Sequence, residues 1–158
     1  MNPQLRMLRL EVRNDVEACL ARIDELAAVP WSPTSVDPNV HARVAMILHH
    51  AYGAFEAALA RIARTLGTEP TGANWHRALL ETMAMDVPGV RPAVLSNSLL
   101  PGLRDLLSFR HFFRHAYSVT LDAGRLTTLR QRALDVRAGL VTDFARVDGW
   151  LAKLSEGV

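Results

Sequence analysis

Apolar residues recur at steps of three and four along almost the whole chain, and this periodicity limits the fold more than any other feature. The strongest stripe is Leu126, Leu129, Ala133, Val136, Leu140, Phe144, Val147, Leu151 and Leu154. Each helical residue advances about 100° around the axis, so such steps keep one face apolar. The stripe predicts a long helix with Asp122 as its N-cap. A second stripe, Val40, Val44, Ile47, Ala51, Phe55, Ala58 and Ile62, runs to Gly67. Asp37 caps it, and Pro38 takes the first helical position. A first helix carries Leu5, Leu8, Val12, Cys19, Ile23 and Leu26 until Pro30-Trp31-Ser32-Pro33 breaks the pattern. Asn74 caps a short third helix from Trp75 to Met85, closed by Pro88-Gly89, and Pro92 begins a fourth that reaches Tyr117, with Gly102 as a bend. No stretch alternates with a period of two, and no repeat or low-complexity segment divides the chain. The expectation is an all-α fold: one domain over residues 1–158, an antiparallel bundle of four long helices plus one short helix.

Composition narrows the class. With 158 residues, 49% of them apolar and 22% charged, the chain is long enough for a real core and unlike a disordered segment. No apolar run reaches the ~18 residues of a spanning helix, so no membrane partner is expected. Met1-Asn2-Pro3-Gln4-Leu5-Arg6 lacks a signal-peptide core, so a cytoplasmic location is expected. Cys19 is the lone cysteine, on an apolar helix face, and reads as packing. The formal charge of +2 does not by itself point to nucleic acid, but its distribution is uneven. From Arg104 to Arg137 there are seven arginines and two histidines against three aspartates. That asymmetry suits a local RNA-binding groove, and equally one exposed helical face.

The chemistry is concentrated in Phe109-Arg110-His111-Phe112-Phe113-Arg114-His115-Ala116-Tyr117. With Arg110 at zero, Arg114 falls at about 40°, His111 at about 100°, His115 at about 140° and Tyr117 at about 340° around the helix. Phe112, Ala116 and Phe113, at about 200°, 240° and 300°, leave the other side to bury. Imidazole titrates near working pH, so His115 is the candidate for proton transfer. Guanidinium stays charged and presents a fork of donors, so Arg110 suits the charge that builds on a phosphate during in-line displacement. Together they permit a ribose 2′-hydroxyl to attack its own neighbouring phosphate, leaving a 2′,3′-cyclic phosphate and a 5′-hydroxyl and sparing DNA. The same arc also describes a solvated basic face. His111 and His115 have the one-turn spacing of a metal pair, but a catalytic zinc takes three protein ligands and no third has an obvious spacing. No metal and no cofactor is expected. Arg114 either binds RNA phosphate or makes a structural ion pair, and His111 can aid proton transfer. Glu56 either orients Arg110 or His115 or is an ordinary surface or interface carboxylate. Trp75 and His76 read as a packing corner with a hydrogen-bonded imidazole, outside the site, and Tyr52 reads as core.

Arg110, His115 and Tyr117 form an R-x4-H-x-Y pattern that resembles the signature of HEPN ribonucleases, in particular HepT-like toxins paired with a minimal nucleotidyltransferase. Further blocks occur in the same order: Ala51-Tyr52-Gly53-Ala54-Phe55-Glu56, Trp75-His76 with Leu79-Leu80, Val90-Arg91-Pro92, and Tyr117-Ser118-Val119-Thr120-Leu121-Asp122. The resemblance implies the toxin of a type VII-like toxin–antitoxin system, a homodimer whose motif helices meet and which cleaves RNA without metal. It implies a nucleotidyltransferase antitoxin that silences the toxin by attaching AMP to Tyr117. Whether the RNA is tRNA or messenger stays open. A helical module of this kind can instead bind a substrate or partner for a nucleotidyltransferase without catalysis, needing the basic face but not His115.

Overall fold

The computed structural model describes residues 2–115 and 121–157, with His115 described in its backbone alone. Five α-helices account for most of them: α1 (Pro3–Ala28), α2 (Pro38–Thr65), α3 (Trp75–Met83), α4 (Leu100–His115) and α5 (Ala123–Glu156). Among the described residues there is no β-strand, only an isolated antiparallel bridge between Val87 and Arg91, so the chain is all-α. No helix of the described residues is long and apolar enough to cross a membrane.

Helix starts follow local chemistry. Asn2 and Asp37 accept hydrogen bonds from the first-turn amides of α1 and α2, each followed by proline at the first helical position, where no amide hydrogen is needed. Asp122 accepts from the Gly124 amide at 3.0 Å to start α5, and Gly157, at φ 79°, closes it in the left-handed region that glycine tolerates. Asn74 precedes α3 as expected, yet its side chain makes no capping bond.

The fourth helix starts later than Pro92. The Ala93 amide donates to the Asp86 carboxylate at 2.7 Å, and the Val94 and Leu95 amides both donate to the Met83 carbonyl at the end of α3. The Leu95 and Ser96 amides, which a helix opened at Pro92 would turn to the Arg91 and Pro92 carbonyls, are committed to Met83 and Asp143 instead, and α4 begins only after a 3-10 turn at Asn97–Leu99. The buried Arg91 side chain donates to the Thr82 and Met85 carbonyls, closing the α3 C-terminus with a cation. Buried Asp143 of α5 accepts from the Ser96 amide and hydroxyl, both at 2.7 Å, which ties the end of this loop to α5.

The core is one cluster fed by all five helices. α2 touches each of the other four, and α1 packs on it most extensively. Its buried residues, among them Ile47, Leu48, Tyr52, Phe55, Leu59 and Ile62, form a broad face that takes in about half of the helix circumference. One of those buried residues is acidic: Glu56. Gly102 is not a bend. It lies in the first turn of α4, where an added Cβ would stand 2.9 Å from Val136 Cγ1, so it lets α4 and α5 approach closely.

Candidate active site

Glu56 on the central helix cannot carry a bare charge in the core, and the structure answers it twice. Arg110 Nη1 of α4 donates to its Oε1 at 2.5 Å, and His76 Nδ1 of α3 meets its Oε2 at 2.8 Å. The carboxylate is therefore neither a surface nor an interface group. It joins three helices at one point.

Local packing explains why these groups converge. Leu103, Leu106 and Phe109 are buried, which turns the face of α4 bearing Arg110 towards α2. The guanidinium lies over the α2 backbone at Gly53, where an added Cβ would be 3.9 Å from both Nε and Nη2. Arg104 holds Glu81 with two hydrogen bonds of 2.6 and 2.8 Å, fastening α3 to α4 so that His76 comes alongside Arg110. The Trp75 ring stacks on His76 with centroids 3.7 Å apart.

A pocket of about 330 Å³ opens over this junction, lined by Asn74, His76 and Arg77 on one side and Ser108, Arg110, His111 and Arg114 on the other. Arg110, His111 and Arg114 thus share one cavity, as the helical arc requires. Arg110 is mostly covered, with its side chain 18% exposed, whereas His111 and Arg114 are exposed. Arg114 makes no ion pair among the described residues. Phe113 packs between Phe109 and His49, and Phe112 carries the Arg125 guanidinium over its ring at 5.1 Å. The His115 side chain and the whole of Tyr117 lie outside the described residues.

Of two histidines that sequence reasoning had left out, one lines the site and the other packs beside it. His76 is hydrogen-bonded as expected of a packing corner, but it lines the pocket beside Arg110, so the corner is part of the site. His49 stands on the α2 face that carries Gly53 and Glu56, at helical steps of four and three. Its ring lies 5.1 Å from Phe113, and Nδ1 is buried with no hydrogen bond among the described residues. Burial, and then the charges of Arg110, His50 and Arg114, hold His49 below the usual imidazole range. The adjacent pair His49-His50 was visible in the sequence, and the spacing to Glu56 was the available signal. Tyr52 is core: burial, reinforced by Glu56, pushes its phenol well above the usual range. Among the described residues no three His, Cys, Asp or Glu side chains stand close enough to share a metal ion.

The model of the family described as HepT-like protein matches residues 43–151. The chain belongs to the HepT-like family of HEPN proteins. The match takes in Glu56, His76 and Arg110, so the whole junction lies inside the HepT-like region, while α1 precedes it. No curated protein and no solved structure matches this HepT-like chain.

Proposed function

We propose that this HepT-like protein is a metal-independent endoribonuclease, the toxin of a type VII-like toxin–antitoxin pair, and that Arg110 and His115 carry the reaction. The observation behind this reading is the anchoring of Arg110. Its guanidinium is held by a buried carboxylate at the edge of a pocket that it shares with Arg77, Arg114 and two imidazoles. Such preorganised cations suit a phosphate whose charge rises in the transition state, and holding them beforehand avoids reorganisation during the reaction.

In the proposed reaction the ribose 2′-oxygen attacks the adjacent phosphorus, the P–O2′ bond forms and the P–O5′ bond breaks. A proton leaves the 2′-hydroxyl for an imidazole, another reaches the departing 5′-oxygen, and a 2′,3′-cyclic phosphate remains. The substrate is RNA, tRNA or messenger. Arg114 and His111 bind its phosphates, and Glu56 orients Arg110. In the family setting the working unit is a homodimer, which light scattering would register as twice the 17.5 kDa chain mass. Its antitoxin is a minimal nucleotidyltransferase that joins the Tyr117 oxygen to the α-phosphate of ATP, releasing pyrophosphate. The added negative phosphate would then compete with RNA for the same cations.

One set of variants tests the scheme. Wild type is expected to cut total RNA and arrest growth, with cleavage by Arg110→Ala and His115→Ala reduced at least about 10²-fold while both stay folded by circular dichroism. Tyr117→Phe should keep cutting and escape AMP addition by the partner enzyme. Near wild-type cleavage by either of the first two variants would overturn the assignment. AMP found by mass spectrometry on Tyr117→Phe would overturn the proposed control.

A further inference from the structure

The junction has a chemical asymmetry that the motif residues leave unused. A carboxylate can only accept hydrogen bonds, so the His76–Glu56 contact makes His76 Nδ1 the donor. In the neutral ring this fixes the tautomer and leaves Nε2 with its lone pair. Nε2 makes no hydrogen bond among the described residues. The ring cannot turn freely, because Trp75 stacks against its face. It lines the same pocket as Arg110, with 29% of the side chain exposed. A histidine oriented through Nδ1 by a buried carboxylate, with Nε2 available to a polar cavity, has the design of a general base.

We propose that His76 is a second proton-transfer residue of this site, whose Nε2 takes the proton of the attacking ribose 2′-hydroxyl while Glu56 fixes the ring. The inference rests on the endoribonuclease reading and divides its proton traffic between two imidazoles. As the P–O2′ bond forms, the 2′-hydroxyl proton moves to Nε2 of His76. As the P–O5′ bond breaks, the 5′-oxygen takes a proton from His115. Glu56 balances the imidazolium that forms, as it balances Arg110. The charged and titratable groups that line the cavity with His76 are Arg77 beside it on α3 and Arg110, His111 and Arg114 from α4, with Glu56 of α2 buried beneath, bonded to His76 and Arg110. Such a divided arrangement lets a neutral base and a protonated acid stand ready together at one pH, which a single imidazole cannot do.

The test uses two oligoribonucleotides of one sequence, one with the natural 5′-oxygen at the cleavage site and one with a bridging 5′-sulfur there. Sulfur leaves without protonation, so it relieves the loss of a general acid and does nothing for the loss of a general base. His76→Gln is the informative variant, since its amide can still donate to Glu56 and support the fold but cannot shuttle a proton. Its cleavage rate is expected to fall about 10²- to 10⁴-fold on both substrates. His115→Ala should recover on the sulfur substrate. Cleavage by His76→Gln within about threefold of wild type would overturn the proposal, as would its recovery on the sulfur substrate. Failure of wild type to cut either RNA would instead overturn the endoribonuclease reading on which the proposal stands.

Discussion

A carboxylate in the middle of a helical core is tolerated only when its charge is answered, and Glu56 is answered by Arg110 and His76. Removing one member of a buried pair leaves the other charged and alone. Glu56→Leu and Arg110→Met are therefore each expected to cost about 3–5 kcal/mol in urea unfolding, towards the lower end for Glu56→Leu because Arg110 keeps some solvent contact. The double variant Glu56→Leu with Arg110→Met should recover most of that stability and none of the RNA cleavage. An additive loss in the double variant would mean that the two residues are not coupled. His49 makes a second case at this scale. Its folded pKa lies below the ordinary imidazole value of about 6.5, so its contribution is full above that pH and is lost as pH falls towards the folded value. Wild-type Tm should drop between pH 7.5 and 5.5, and His49→Phe should flatten the drop; an equal slope in both would contradict the assignment. Sequence supplied Arg110, His111 and Arg114 as one arc because they lie within two turns. It could not decide the role of Glu56, which lies 54 residues from Arg110. Partners that far apart are joined by packing, and local periodicity carries no record of it.

At the level of the helices, the stripes, with the Asp37-Pro38 pair and the Asp122 cap, gave α1, α2 and α5 nearly as they stand, because burial of a 3.6-residue face and local capping are written in consecutive residues. The start of α4 was less legible. Pro92 has the dihedral a helix opening needs, but the Leu95 and Ser96 amides that would close its first turn are claimed by Met83 and Asp143. Two helix glycines separate packing from propensity. At Gly102 a new Cβ would press on Val136, a stiff β-branched side chain. Gly102→Ala should therefore lose stability by about 1–3 kcal/mol despite better helix propensity. At Gly149, inside α5, none of the described residues comes within 4 Å of an added Cβ. Gly149→Ala should gain up to about 1 kcal/mol. Thermal melting of both variants checks the pair, and shifts of the same sign would contradict the close approach of α4 to α5.

Across the whole molecule, α2 forms the common wall against which the other helices pack, and the pocket lies where α3 and α4 meet on it. The basic half of the sequence turns out to be largely spent on structure. Arg104, Arg110, Arg132 and Arg137 are all ion-paired, with Glu81, Glu56, Asp105 and Asp24. The uneven distribution therefore overstated how much cation is left for a ligand; Arg77 and Arg114, which make no ion pair among the described residues, line the pocket. In the proposed reaction a 2′-hydroxyl, acting against an Arg110-held phosphate, does the cutting. That step is tested most directly by one oligoribonucleotide in excess EDTA, with and without a single deoxyribose at the mapped cleavage site, and the fragment ends read by mass spectrometry. Cleavage is expected in EDTA, with a 2′,3′-cyclic phosphate and a 5′-hydroxyl at the new ends, and none at the deoxy position. Loss of cleavage on chelation, or continued cleavage at the deoxy position, would contradict the proposed reaction.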